Sequence, residues 1–521
     1  MNLSTEENDR LAIQSMLDNS KTKEERNILG QFATPTLLAN QILKYSLQLT
    51  KNFPHIRFLD PAIGTGSFFS ALQNHYPSDR IEAASGYEID ADVTRETERI
   101  WRGSILKVYT EDFTKASPPP DAEKSNLVIC NPPYVRHHHL EIDDKVRLKF
   151  ASEQSSGIRP NGLSGLYCYF MCISHKWMAK DAIACWLIPS EFMDVNYGAY
   201  LKDYLTTKVT LLDIHRFDPN EIQFHDALVT SAVVWFRNRV PDLNDVVSFT
   251  YGANMENPAI IKRINISELK KRKKWTGIVF EESSTKSEGG PLLSDLFYIK
   301  RGLATGNNKF FILDRTTIKQ NMIPEEFLIP ILPSPRYLRI DEVLKDDRGY
   351  PIIEKPLFLL SCDLTEKVVE KQYPDLWKYY QTGIKLGVNK GFLCKGRSPW
   401  YSQEKREAAP ILCSYMGRSG ADGGSAFRFI RNHSKAIANN SYLCLYPKAE
   451  MKDEIKRDPK AFNDIWVDLR KIKASDLIKE GRVYGGGLQK LEPKELGRVS
   501  LPVLNNLCQT KLFNCVNDDE F

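Results

Sequence analysis

The stretch 58–72, FLDPAIGTGSFFSAL, decides the reading of this chain. An apolar run ends in Asp60, a turn carries Gly64 and Gly66, and apolar residues then resume at helical spacing, which predicts strand, tight turn and helix. Glycines let the backbone approach a ligand closely, and the helix N-terminus beyond them offers unpaired N–H groups. The turn lacks the Lys-Ser/Thr of a phosphate loop and the third glycine of the dinucleotide spacing. A cofactor without a pyrophosphate fits it better.

Upstream, TPTLLANQILKYSLQLT (34–50) predicts a helix: Thr34 can cap, Pro35 suits the first turn, and Leu38, Ile42, Tyr45 and Leu49 recur on one face. Downstream, short apolar strands alternate with helical segments: IEAASGYEI, ILKVYTEDF, NLVICN, a helix near 163–180, AIACWLIP, a helix near 197–206, VTLLDIHRF and LVTSAVVWFR. That rhythm predicts an α/β fold with a doubly wound, mostly parallel, Rossmann-like sheet over residues 1–245. Ligands bind such sheets at the carboxyl ends of strands. From 246 the rhythm stops; KKRKKW (270–275) and SSTKSEGG (283–290) mark 246–290 as a basic linker, and 291–521 reads as a separate mixed α+β domain.

The 521 residues are 42% hydrophobic and 26% charged, with no apolar run long enough for a bilayer, and the polar, acidic start MNLSTEENDR is no signal peptide. A cytoplasmic protein without membrane attachment is expected. Ten cysteines, none in a CxxC pair, read as reduced packed thiols. Residues 1–250 carry 26 Lys+Arg against 32 Asp+Glu, whereas 251–521 carry 45 against 34, so the second half is the one suited to a polyanion.

Acidic residues recur at successive strand ends. Glu88 in GYEID is placed to accept from both hydroxyls of a ribose; Asp112 in EDF can accept from an adenine amino group, and Phe113 can cover its ring. The fourth strand runs into NLVICNPPYVRHHHL (126–140).

Together these motifs resemble the gamma-type N6-adenine DNA methyltransferases of restriction–modification systems. The resemblance covers Gly30 to about Arg237, with GQFATP (30–35), DPAIGTG, GYEID, EDF and NPPY in the gamma order; Ile63 departs from the small residue usual there. It implies S-adenosylmethionine as cofactor, held by Phe32, Thr34, Asp60, Pro61, Ala62, Gly64, Gly66, Glu88, Ile89, Asp112 and Phe113, with the segment 30–35 closing over its methionine end. It implies catalysis by Asn131, Pro132, Pro133 and Tyr134 on an adenine rotated out of duplex DNA, with Tyr134 and Phe224 as stacking faces. Asn131 and the Pro132 carbonyl would accept from the amino group, and Pro133 would fix the loop.

His137, His138 and His139 are adjacent and cannot normally all face one ion, and no Cys or carboxylate pattern flanks them, so no metal is expected. The loop is expected on the DNA side, with Arg136 at phosphate. In the second half, basic, amide and aromatic residues interleave around Lys309, Arg336 and Arg397, as in target-recognition regions of the same family, and DNA contacts are expected there. Duplex DNA and a separately encoded cognate endonuclease are the partners implied, with the chain acting as a monomer. Alternatives are methylation of another amino group (cytosine N4, RNA adenine or protein glutamine) or a non-catalytic DNA-specificity protein. The motifs begin by Gly30 and no PD…ExK site stands in a separate domain, so methylation without cleavage is expected.

Overall fold

The computed structural model describes residues 4–22, 25–26, 29–218, 231–280, 291–418, 426–484 and 488–501. The chain divides into two compact units, the first ending at Glu281 in the main chain path.

In the first unit, helices α1 (Thr5–Ser20) and α2 (Thr36–Leu49) precede strand β1 (Ile56–Asp60), α3 (Ser67–His75), β2 (Ile81–Glu88), α4 (Ala91–Ile100), β3 (Leu106–Thr110) and β4 (Ser125–Cys130). Then come α5 (Ile142–Ser156), α6 (Leu166–Ile173), β5 (Met178–Pro189), α7 (Ala199–Thr207), β6 (Thr210–Phe217), β7 (Ser231–Arg237), β8 (Val246–Gly252) and β9 (Ile260–Asn265). The nine strands form one sheet in the order β3-β2-β1-β4-β5-β7-β6-β8-β9. Pairing is parallel from β3 to β5, while β7 runs antiparallel to both neighbours and β9 to β8. Chain order reverses between β1 and β4, the topological switch at which such sheets bind ligands.

Burial follows the sequence pattern. The central strand β4 is apolar on both faces, as a strand covered by helices must be. On one side Leu38, Ala39, Ile42 and Leu43 of α2 pack with Phe58, Phe68, Phe69 and Trp101; on the other Phe113, Tyr167, Phe170 and Trp177 pack with Trp186 and Tyr204. Each such side chain contributes about 1.5–3 kcal/mol when fully buried.

Two expectations are corrected. The segment from 246 does not leave the sheet: β8 pairs with β6, β9 pairs with β8, and Trp275 of the basic run is buried beside Phe192 and Phe249. The basic side chains hid an anchored segment, so 246–275 belongs to the first unit and is not a linker. Thr34 is not a helix cap either; α2 begins after Pro35 without a side-chain cap.

Among the described residues the second unit holds three sheets. Its five-stranded sheet runs Phe297–Arg301, Tyr442–Pro447, Ile411–Ser414, Phe429–Asn432, Glu342–Val343, and is antiparallel except for its last pair. A four-stranded sheet (Ile312–Asp314, Leu357–Leu360, Leu328–Leu332, Ile437–Ala438) packs with Phe310, Tyr380 and Tyr401. A three-stranded sheet joins Met416–Arg418, Leu488–Lys490 and Arg482–Tyr484. This is the mixed α+β character expected.

Candidate cofactor and catalytic site

A cavity of about 450 Å³ opens over the carboxyl ends of β1, β2, β3 and β4, a size suited to one nucleoside-sized ligand. Its wall includes Phe32, Pro61, Ala62, Gly64, Glu88, Ile89, Asp112, Phe113, Asn131 and Pro133, ten of the residues singled out in the sequence.

The glycine-rich turn is built by backbone geometry. Gly64 has φ +52° with open space where a Cβ would stand; Gly66 has φ +88° and opens α3, and a Cβ there would lie 2.4 Å from Trp101 Nε1. Trp101 in turn donates to the Thr65 carbonyl at 3.0 Å. Gly66 is therefore a packing residue and does not line the cavity. Ile63 has a partner for its size: a Cβ on Gly86 of GYEID would fall 2.3 Å from its Cδ1, so the glycine in β2 makes the room that the larger side chain fills.

Asp60 is buried behind the turn and accepts from Ala62 N at 3.1 Å. Burial, with a smaller contribution from the Glu88 charge, pushes its carboxyl up to about 8, against the lowering effect of that hydrogen bond. Glu88 faces the cavity; burial is the main cause of its raised pKa, and Oε1 accepts from Asp90 N at 2.9 Å. Asp112 Oδ1 accepts from the backbone and hydroxyl of Thr114 at 2.9 and 2.7 Å, and Arg147 stands 3.6 Å from Oδ2. Phe113 is buried among Tyr87, Phe170 and Trp177.

At the other end of the cavity, Asn131 Nδ2 donates to the Phe32 carbonyl at 2.9 Å and to Thr34 Oγ1 at 3.1 Å. Both amide hydrogens are thereby committed to the segment 30–35, and Oδ1 is left buried without a partner. Gly30, at φ +65°, lets that segment touch the loop: its carbonyl accepts from Tyr134 N at 3.0 Å, and a Cβ would lie 2.4 Å from the same nitrogen. Tyr134 is buried, its ring 5.6 Å from that of Phe32 and its hydroxyl donating to the Leu187 carbonyl at 3.0 Å. Pro132 is buried beneath the loop. Phe224 lies outside the described residues.

Residues that the sequence did not mark complete the wall. Gln14, Asp18 and Lys21 come from α1 and the residue after it, and Arg147 from α5. Nothing in the local pattern of 5–20 announces a ligand wall; the signal is tertiary.

The histidines form a single turn, His137–His139, and among the described residues no cluster of three metal-ligating side chains occurs. Arg136 is exposed. In the second unit Lys309 and Arg336 are exposed, whereas Arg397 is half-buried, its guanidinium donating to the carbonyls of Thr305 and Ala304 at 2.7 and 2.8 Å and to Gln403 at 3.2 Å. Arg397 helps hold its own domain together.

Two family models match the chain: the Eco57I restriction-modification methylase over 34–223, and the C-terminal domain of the Type II methyltransferase M.Eco57I over 278–519. The second begins close to the end of the first structural unit. Type II methyltransferase M.AccI of Acinetobacter calcoaceticus is 28% identical over 96% of this chain and 90% of its own length. M.XamI of Xanthomonas campestris pv. amaranthicola is 25% identical over 87% of this chain and 81% of its own length. The solved structure of the Type IIL restriction-modification enzyme MmeI in complex with DNA superposes with a TM-score of 0.53 at 13% identity, covering 82% of this chain and 64% of that one, and shares the fold.

A mostly parallel sheet with a glycine-rich turn after β1 and an acidic residue ending β2, walling a nucleoside-sized cavity, together with the methylase match, fits an S-adenosylmethionine-dependent methyltransferase. Both of its units are matched by models of one enzyme type, and over nearly its whole length the chain is similar to Type II restriction–modification methyltransferases.

Proposed function

We propose that this enzyme methylates the exocyclic N6 of adenine in duplex DNA, at a site chosen by its second unit, as the modification partner of a separately encoded endonuclease. The observation that carries the reading is the buried, unpartnered Asn131 Oδ1 at the cavity wall. A buried acceptor without a donor costs about 1–3 kcal/mol, and an amino group entering beside it removes that cost.

When bound, S-adenosylmethionine supplies an electrophilic methyl group on sulfur. The chain's own residues do the rest. Glu88 suits the paired hydroxyls of a ribose, and Ile89 and Phe113 offer apolar surface to a base. Asp112, oriented by Thr114 and Arg147, suits an adenine amino group. An exocyclic amino nitrogen is a weak nucleophile because its lone pair is delocalised into the ring, and it carries no charge that calls for a strong base. Neutral acceptors are what help: Asn131 Oδ1, and the Pro132 carbonyl beside it, draw the nitrogen towards tetrahedral geometry and free its lone pair. The segment 30–35 fixes the amide so that only oxygen is offered.

A base in the duplex cannot reach such a loop, so the target must leave the stack at a cost of a few kcal/mol, which aromatic stacking worth roughly 1–3 kcal/mol offsets. Tyr134, its ring held by Phe32 and Leu187, is assigned that contact. Exposed Arg136, Lys309 and Arg336 are assigned to phosphate. Asparagine at the head of the loop favours adenine over cytosine, whose enzymes more often carry serine there.

Asn131→Ala should slow methyl transfer by about 10²–10³ while leaving cofactor affinity within about twofold. Near-normal turnover in this variant would overturn the catalytic assignment. Nucleoside analysis of wild-type product should show N6-methyladenine; N4-methylcytosine in its place would overturn the choice of base.

A further inference from the structure

We propose that α1 is the retention latch of the cofactor pocket: a buried Glu7–Arg10 pair fastens it to the glycine-rich turn and to α2, so that Gln14, Asp18 and Lys21 close the cavity and slow release of the cofactor. The inference rests on the cavity being the S-adenosylmethionine site.

Arg10 Nε and Nη2 donate to the two Glu7 oxygens at 2.7 and 2.6 Å, with both side chains almost fully buried. A buried pair is tolerated only when its remaining donors and acceptors are satisfied. Here those extra bonds reach the site. Arg10 Nη1 donates to Ser67 Oγ at 2.9 Å and Thr65 Oγ1 at 3.3 Å, both in or beside the glycine-rich turn. Arg10 Nη2 also donates to Thr36 Oγ1 at 3.0 Å, in the first turn of α2. Glu7 accepts from Thr36 and Ser70, each at 2.6 Å. One ion pair thus ties the glycine-rich turn to the start of α2, which follows directly on the segment that orients Asn131.

About one turn beyond Arg10 along α1, Gln14 accepts from Thr65 Oγ1 at 2.7 Å and donates to Asp18 at 2.9 Å, and both line the cavity. Beyond the helix, Lys21 Nζ bonds Asp90 Oδ2 at 2.8 Å and Gln31 Oε1 at 3.0 Å. Asp90 is the residue whose N–H holds Glu88, so Lys21 links the ribose side of the cavity to the segment 30–35. The inner end of the latch is buried, whereas the Lys21 end is partly exposed. A ligand leaves by breaking the Lys21 bridge first.

The test measures cofactor binding on the full-length enzyme without DNA, with S-adenosylhomocysteine as probe. Lys21→Met, which lies outside the helix and spares folding, should speed its dissociation roughly three- to tenfold, the range of one or two partly exposed polar bonds, and moderate salt should do the same to the wild type. Arg10→Ala should speed dissociation by more. Hydrogen exchange of the amides of 5–20 should slow when the probe binds. Unchanged dissociation in Lys21→Met and Gln14→Ala, with no added protection of 5–20 while 64–67 become protected, would overturn the latch even if Arg10→Ala fails to fold. Absence of any probe binding by the wild type would instead remove the cofactor reading of the cavity on which the latch rests.

Discussion

Thr34→Val isolates the part that the segment 30–35 plays in catalysis. The two side chains are nearly isosteric, so the substitution removes a hydroxyl and leaves the packing. Asn131 Nδ2 then keeps its 2.9 Å bond to the Phe32 carbonyl and loses the 3.1 Å bond to Thr34. One amide hydrogen is left buried and unpaired, which costs about 1–3 kcal/mol; with one tether intact, about 1–2 kcal/mol of that falls on the catalytic rotamer. At 1.36 kcal/mol per tenfold, single-turnover methyl transfer slows roughly five- to thirtyfold. Thr34 touches Asn131 and is not part of the cavity wall, so cofactor affinity stays within about twofold. Thr34→Ser, which keeps the acceptor, stays within about threefold of the wild-type rate. The assay is transfer of a tritiated methyl group to duplex DNA with enzyme in excess. If the valine variant transfers at the wild-type rate, or if serine and valine are equally slow, the orienting hydrogen bond is not what Thr34 supplies.

Gly86→Ala should lower the thermal midpoint by several degrees and weaken cofactor binding, because the new Cβ meets Ile63 Cδ1, Cβ and Cγ2 at 2.3, 2.8 and 2.9 Å, an overpacking cost of about 1–3 kcal/mol. Pairing it with Ile63→Ala, which removes two of the three clashes, should recover part of that loss; strictly additive effects in the double-mutant cycle would show that the residues do not interlock. Asp60, raised to about 8 by burial, keeps in the folded chain a proton that the unfolded chain loses near its ordinary value of 3.8. Stability of the free enzyme should therefore fall as pH rises across that window, and Asp60→Asn should flatten the slope measured by thermal denaturation; an unchanged slope would refute the assignment.

What could be read in the sequence was whatever depends on neighbours along the chain. β1 and β4 announce themselves as apolar runs ending in Asp60 and Asn131, and strand-end acids fall at the cavity because parallel strands share one carboxyl edge. What escaped depends on distant partners. Thr34 carries a cap signature, yet its hydroxyl serves a residue 97 positions away. β9 is an edge strand with alternating exposed positions, and its charged neighbours made it look like a connector. α1 escaped because it buries a charged pair where an apolar stripe would be expected, and only the folded chain shows the hydroxyls that make this tolerable. Arg397 illustrates the same limit from the other side: a basic residue in a promising context also bonds carbonyls of its own domain, which its position in the sequence does not announce.

The contact between Gly30 and Tyr134, together with the two bonds from Asn131, means that the reacting loop is held by noncovalent bonds from a segment far upstream in the chain. Helices α1 and α2 dock through buried side chains, and the turn that follows them at 51–55 is largely exposed. The enzyme is in this sense already a two-piece device. Severed in that turn, residues 1–50 and the remainder could be supplied as separate polypeptides that regain a complete site only on association, which turns a modification enzyme into a reporter of whatever brings the two pieces together.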